Sequence, residues 1–221
     1  MAVARGHKDV FVVLVSEGAD LSLGDTNGKN ILHYACAGGH VDMIKYVLSL
    51  SKVDIDSTAN AGLTPVMVAA SLGNREMFDI LMSKACDVSL ATRSGSNILH
   101  MGCCGGHLEM VKYIISQDLV DINSRRWDKK TPLLISAKLG HGEMFEFIAS
   151  RGGNMSMMTK AGKNSLHLLC KFGNIEVVKF VLSKDLLDIN AKTKKGETAA
   201  MIAKRSRNTQ VYDFLVSHGG Q

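Results

Sequence analysis

The amino-acid sequence predicts an all-α repeat solenoid, and three observations carry that prediction. A passage beginning Asn30-Ile31-Leu32-His33 returns as Asn97-Ile98-Leu99-His100 and again as Asn164-Ser165-Leu166-His167, both times at the same offset. A shorter period lies inside it, marked by Gly28, Gly62, Gly95, Lys129, Gly162 and Gly196 at nearly even steps, each half of the longer offset. Each unit also carries apolar residues at helical spacing, as in Leu108/Val111/Ile114/Ile115 and Ile175/Val178/Val181/Leu182. A fixed internal period outranks any local motif, because one such unit cannot bury its apolar face alone and must stack on its neighbours.

Composition agrees. The 221 residues are 46% hydrophobic and 21% charged, with two prolines and 5% aromatics, which argues against an all-β sandwich or a proline-rich linker. No apolar run approaches the ~20 residues of a membrane helix, and the segment from Met1 to Asp9 is too polar for a secretory signal. A soluble monomer of the cytoplasm is expected, with the nucleus as a second compartment and no membrane association. The cysteine count is odd, and four of the five (Cys36, Cys86, Cys103, Cys104, Cys170) lie in apolar helical patterns. That suits small buried side chains better than a disulfide framework. Charge is uneven. Residues 1–110 hold 8 Lys+Arg against 11 Asp+Glu, and residues 111–221 hold 18 against 10.

In chain order, the segment from Met1 to Leu21 supplies the tail of one helix, then Gly6-His7, a second helix and Gly18-Ala19-Asp20. Thr64-Pro65 and Thr131-Pro132 place a capping oxygen before a proline at the first helical position, and Asn30, Asn97 and Asn164 take the capping place elsewhere. Gly39, Gly73, Gly106, Gly140 and Gly173 stand where a first helix must end in a left-handed residue. Ala35, Ala69, Ala70 and Cys103 are small where two helices must approach closely. The last unit has Thr198-Ala199 and then the polar run from Lys204 to Asn208, the polar outer face a terminal repeat needs. The three Asn-x-Leu-His units end in Val53-Asp54-Ile55, Val120-Asp121-Ile122 and Leu187-Asp188-Ile189, one residue longer than the others, so a different loop is expected there.

Thr64-Pro65-Val66-Met67-Val68-Ala69-Ala70-Ser71-Leu72-Gly73-Asn74, the stretch from Thr131-Pro132 to Gly140-His141, and Gly18-Ala19-Asp20-Leu21 resemble the ankyrin-repeat motifs T-P-L-H-x-A-A-x-x-G-H and G-A-D-V. The resemblance covers nearly the whole chain. It implies a single domain over 1–221 with about seven repeats, approximately 1–23, 24–57, 58–90, 91–124, 125–157, 158–191 and 192–221, the two terminal ones partial or capping. Leu182 to Asn190 also reads L-x-x-x-x-x-D-I-N, similar to the sites that asparaginyl hydroxylases modify in such repeats, against the plainer expectation that Asn190 bonds within its own turn.

His100, Cys103, Cys104 and His107 fall at metal-like spacings, yet zinc wants ligands converging from at least two elements, and these four share one short helix broken by Gly105-Gly106. In the repeat frame His100 instead ties one turn to the next. No Gly-x-Ser-x-Gly elbow, phosphate loop or dinucleotide fingerprint occurs. The chain is therefore expected to have no catalytic residue, cofactor or metal.

What remains is surface. The resemblance implies that turn tips and the exposed side of each first helix line a partner-binding groove. Its tips would include Arg93, Trp127, Lys130, Lys160 and Lys163. Its helix positions would include Tyr34, Met101, Ile135, Lys138, Leu139, Leu168, Lys171, Phe172 and Ile202. Trp127, the only tryptophan, falls at a tip where no core requires it, with Leu139 and Phe172 expected as its exposed apolar neighbours. Around it Arg125, Arg126, Lys129, Lys192, Lys194 and Lys195 complete a basic column. The reading is a non-enzymatic interaction scaffold for an acidic, partly apolar protein. Nucleic-acid binding or nuclear regulation through the C-terminal basic turns is the alternative, weakened by the lack of interleaved aromatics or a base-reading module.

Overall fold

A computed structural model describes residues 2–172 and 174–221, and these form thirteen α-helices with no strand among them. They divide into two compact units, Met1–Val120 and Asp121–Gln221. The first unit holds a one-turn 3-10 helix at Val3–Arg5, then α1 (Lys8–Ser16), α2 (Ile31–Gly38), α3 (Val41–Ser49), α4 (Pro65–Leu72), α5 (Arg75–Ser83), α6 (Ile98–Gly105) and α7 (Leu108–Ser116). The second holds α8 (Pro132–Leu139), α9 (Gly142–Ser150), α10 (Ser165–Leu169), α11 (Ile175–Ser183), α12 (Ala199–Arg205) and α13 (Thr209–Ser217). Within each unit the first helices of successive repeats pack side by side, α2 on α4 on α6 and α8 on α10 on α12. The second helices form a parallel layer, α3 on α5 and α9 on α11 on α13.

Local chemistry starts and stops these helices as the sequence implies. Asn30, Asn97 and Asn164 accept the backbone N–H of His33, His100 and His167, each at 3.1 Å. At α6 and α10 the histidine ring reaches back to the N–H of the capping residue, closing a reciprocal box. Gly39, Gly73, Gly106 and Gly140 take φ between 66° and 79° and end α2, α4, α6 and α8. Gly173, expected to do the same for α10, lies outside the described residues.

Thr64 departs from expectation. Thr131 accepts the Leu134 N–H at 3.2 Å, but the Thr64 hydroxyl makes no capping bond and is buried without a hydrogen-bond partner. Pro65 already sets the first helical φ, so α4 begins without the cap.

The core runs between the helix layers, where Ala35, Ala69, Ala70 and Cys103 are fully buried at the close approaches. Met43, Met77, Met110, Met144, Val177 and Val211 repeat one position of the second helix and are at most 3% exposed, whereas Val10 at the same place in α1 is 54% exposed. Leu14 likewise is 49% exposed where its six counterparts are buried. At the other end Lys204, Arg205 and Arg207 are exposed, giving the last repeat its polar outer side.

The loops after the second helices alternate. After α1, α5, α9 and α13 the turn closes with a bond five residues back, from Ala19, Cys86, Gly153 and Gly220. After α3, α7 and α11 the left-handed residue is Ser51, Asp118 or Asp185, each bonded three residues back.

Candidate functional site

Successive turn tips are tied backbone to backbone. In the first unit the N–H of Asn60 donates to the Asn27 carbonyl, and that of Arg93 to Ala61, both at 2.6 Å. In the second, Lys160 donates to Asp128 at 2.8 Å and Lys194 to Ala161 at 3.1 Å. Histidines reinforce the stacking from beneath, with His33 Nε2 lying 2.8 Å from the Leu63 carbonyl and His167 Nε2 3.0 Å from that of Ala191. Burial, the largest cause, holds both imidazoles below the ordinary histidine value, against the raising effect of the Leu63 and Ala191 carbonyls. His33 and His167 thus do the tying expected of the motif histidine.

Trp127 is 65% exposed at its tip, with the Lys160 ammonium 5.8 Å from the ring centroid. Leu139 and Phe172 are exposed as expected, at 39% and 47%. Phe172 lies against the backbone of Gly140, which follows Leu139, and the Lys171 ammonium sits 5.1 Å from the Phe172 ring.

Three expected groove residues are buried instead. Ile135, Leu168 and Ile202 occupy the flanks of α8, α10 and α12, where these first helices pack on one another. Tyr34, Val68 and Met101 at the same position of the other first helices remain half-buried. The Tyr34 hydroxyl is engaged, donating to Asp25 Oδ2 at 2.6 Å. Arg93 is exposed at its tip.

The basic column is less uniform than its sequence. Asp128 binds the Lys130 ammonium and lies 3.5 Å from Arg126 Nε, so one carboxylate offsets part of the charge of those two cations. Burial alone would raise the Asp128 carboxyl, but the Lys130 hydrogen bonds and the two positive charges outweigh it and hold the group below its usual range. Arg205 is paired with Glu197. Lys163 lies in a different field, because partial burial and then the charges of Arg205, Lys171 and Lys195 push its ammonium below the ordinary lysine range.

Clefts flank this surface. One of about 310 Å³ on the helix side is walled by Asp128, Lys130, Lys138, Lys160, Lys163 and Leu168. Another of about 340 Å³ shares only Thr159 and Lys160 with it and is otherwise lined by Arg125, Lys129, Gly162, Lys194 and the segment from Ser156 to Met158. In the first unit an apolar hollow of about 280 Å³, unforeseen from the sequence, lies between Val3, Phe11, Leu14, Leu21, Leu23 and Ile31.

Asn190 does not bond within its own turn through its side chain. Its Nδ2 donates to the Gly219 carbonyl at 2.9 Å and its Oδ1 accepts from Gln221 N at 2.8 Å, both in the next repeat's closing turn. Cys103 is buried and its thiol raised, Cys36 and Cys170 are pushed up to about 12, and Cys86 to about 11, in each case by burial first. Such thiols are poor nucleophiles. Cys104 is the exposed member of the five. Among the described residues no group of three or more His, Cys, Asp or Glu is placed to hold a metal, and no helix is long and apolar enough to cross a membrane.

A family model described as ankyrin repeats in three copies matches residues 1–92, 84–159 and 146–221. The chain is 31% identical over 148 residues to an L-asparaginase of Dirofilaria immitis, a match covering 67% of this chain and 25% of that protein. It is 26% identical over 211 residues to a putative palmitoyltransferase, ZDHHC13, of Danio rerio, covering 93% of this chain and 31% of that one. Over 253 residues it is 26% identical to the ankyrin repeat and KH domain-containing protein mask-1 of Caenorhabditis elegans, covering 98% of this chain and 9% of the relative. The chain thus spans a third or less of each of these proteins.

Proposed function

This chain belongs to the ankyrin-repeat family, whose repeats mediate protein–protein interaction and are generally non-enzymatic, and we propose that it binds an acidic, partly apolar protein through the tips and first helices of its second unit. The observation that carries the reading is Trp127, a large aromatic held 65% exposed under the Lys160 ammonium. An exposed tryptophan flanked by cations supplies both contact area and steering charge. Lys163, Lys138 and Lys171 extend the positive field toward Leu139 and Phe172. Crowding at Lys163 adds to the case, since a carboxylate arriving there relieves the repulsion from Lys171 and Lys195. Lys130 contributes less than its sequence suggests because Asp128 already holds it.

The test is affinity capture on the immobilised chain, followed by a salt titration of whatever is retained. Trp127→Ala is expected to weaken the captured protein by ~2 kcal/mol or more while leaving the melting temperature unchanged. A comparable loss of stability would make Trp127 a structural residue, and retention of mixed nucleic acid with a steep salt slope would favour the nucleic-acid reading.

A further inference from the structure

Five of six turn tips place glycine at the left-handed position, with φ of 70° at Gly28, 79° at Gly62, 79° at Gly95, 74° at Gly162 and 75° at Gly196. The sixth has Lys129 there, at φ 62°. A side chain in this region costs roughly 1–2 kcal/mol, because Cβ crowds the following carbonyl. Glycine would do the structural work at lower cost, so the lysine calls for an account in terms of what its side chain does.

That side chain lines the cleft of about 340 Å³ outside the tips. Its wall has four cations, Arg125, Lys129, Lys160 and Lys194, and no carboxylate. None of the four makes an ion pair among the described residues, in contrast to Lys130 and Arg126 on the helix side. The Arg125 guanidinium is already oriented, since its Nη2 donates to the Met158 carbonyl at 3.1 Å and leaves its other N–H groups available. Met157 and Met158 supply apolar wall beside the charges.

We propose that this cleft binds a phosphate monoester carried by a partner protein, a phosphoserine or phosphothreonine. A dianion with three acceptor oxygens suits a wall of four cations better than a single carboxylate does, and guanidinium is the group best suited to it. One compact cleft fits one phosphate rather than the succession of phosphates on a nucleic-acid strand. The proposal rests on the reading of the chain as a protein-binding module, and its cleft meets the surface around Trp127 at Lys160.

The experiment measures fluorescence anisotropy of a labelled phosphoserine peptide with otherwise uncharged sequence, beside its serine and glutamate counterparts and a labelled oligothymidylate. The phosphopeptide is expected to bind about tenfold or more tightly than the serine peptide, the scale of one or two charge-assisted hydrogen bonds. Lys129→Gly should weaken phosphopeptide binding about fivefold to tenfold by the same reasoning, with melting temperature unchanged or raised because the left-handed residue becomes glycine. Arg125→Ala should weaken it likewise. Equal binding of serine and phosphoserine peptides, or wild-type affinity in both Lys129→Gly and Arg125→Ala, overturns the proposal. Tighter binding of oligothymidylate than phosphopeptide overturns it in favour of nucleic acid. Loss of captured protein in Trp127→Ala alone, with phosphopeptide binding absent throughout, retains the tip reading and rejects this one.

Discussion

Replacing Asn123 by alanine tests how one repeat is fastened to the next. Its Nδ2 donates to the Gly152 carbonyl at 3.1 Å, and its Oδ1 accepts from Asn154 N at 2.8 Å. Asn190, its counterpart two repeats on, makes the same two bonds to Gly219 and Gln221. Asp56, its counterpart two repeats earlier, makes only the accepting one, from Asp87 N at 2.8 Å. Each bond contributes about 0.5–1.5 kcal/mol net, and the site is open enough for water to replace lost partners, so Asn123→Ala should cost ~1–2 kcal/mol. For a chain of this size that lowers the melting temperature by roughly 2–4 °C per kcal/mol. Asn123→Asp keeps the acceptor but turns an oxygen toward the Gly152 carbonyl, and should cost about as much as losing one bond or more. Asp56→Asn is the converse, adding a donor where the duplicate copies have one, and should stabilise by a few tenths to ~1 kcal/mol. Urea unfolding followed by circular dichroism gives the three free energies, and amide exchange at Asn154 reports the bond itself. If Asn123→Ala stays within ~0.3 kcal/mol of the parent and Asn154 exchanges no faster, the side chain is not a fastener and the reasoning fails.

Thr64→Val and Thr131→Val form a matched pair, expected to be neutral or stabilising at Thr64, whose buried hydroxyl has no partner, and to cost ~1 kcal/mol at Thr131, which loses the Leu134 bond; equal effects in denaturant unfolding would contradict the assignment. His33 and His167 are held by burial below the ordinary value of 6.5, so between that lowered value and 6.5 the unfolded chain binds more protons than the fold. Stability should therefore fall as pH drops below 6.5 and level off beneath the folded value; a double His33→Gln, His167→Gln variant that keeps the whole slope would refute the assignment.

Helix boundaries and caps were legible because they follow from nearest-neighbour chemistry. Asn97 before an apolar run, with His100 three residues on, forms a box that needs no distant residue. Thr64 and Thr131 show where that legibility stops, since the same Thr-Pro pair gives a bonded cap in one copy and an unpartnered hydroxyl in the other. At the candidate site, exposure of Trp127, Leu139 and Phe172 could be read from their register, but the burial of Ile135, Leu168 and Ile202 could not, because it depends on how neighbouring helices pack. Local neutralisation of Lys130 was hidden for a related reason. Only the turn's backbone path brings Asp128 between Arg126 and Lys130. Lys129 stood out in the sequence only as an exception to a glycine series, and its φ turns that exception into a cost.

The bonds from each tip to the next, Lys160 to Asp128 and Lys194 to Ala161, make the row of tips a rail rather than a set of loops. Charges mounted on a rail keep their spacing when a partner leaves. A binder whose own charges match that spacing meets a surface already arranged and loses little entropy in ordering it. A binder out of step cannot draw the tips toward itself without breaking backbone bonds, so the second unit should discriminate by the interval between a partner's charges as well as by their number.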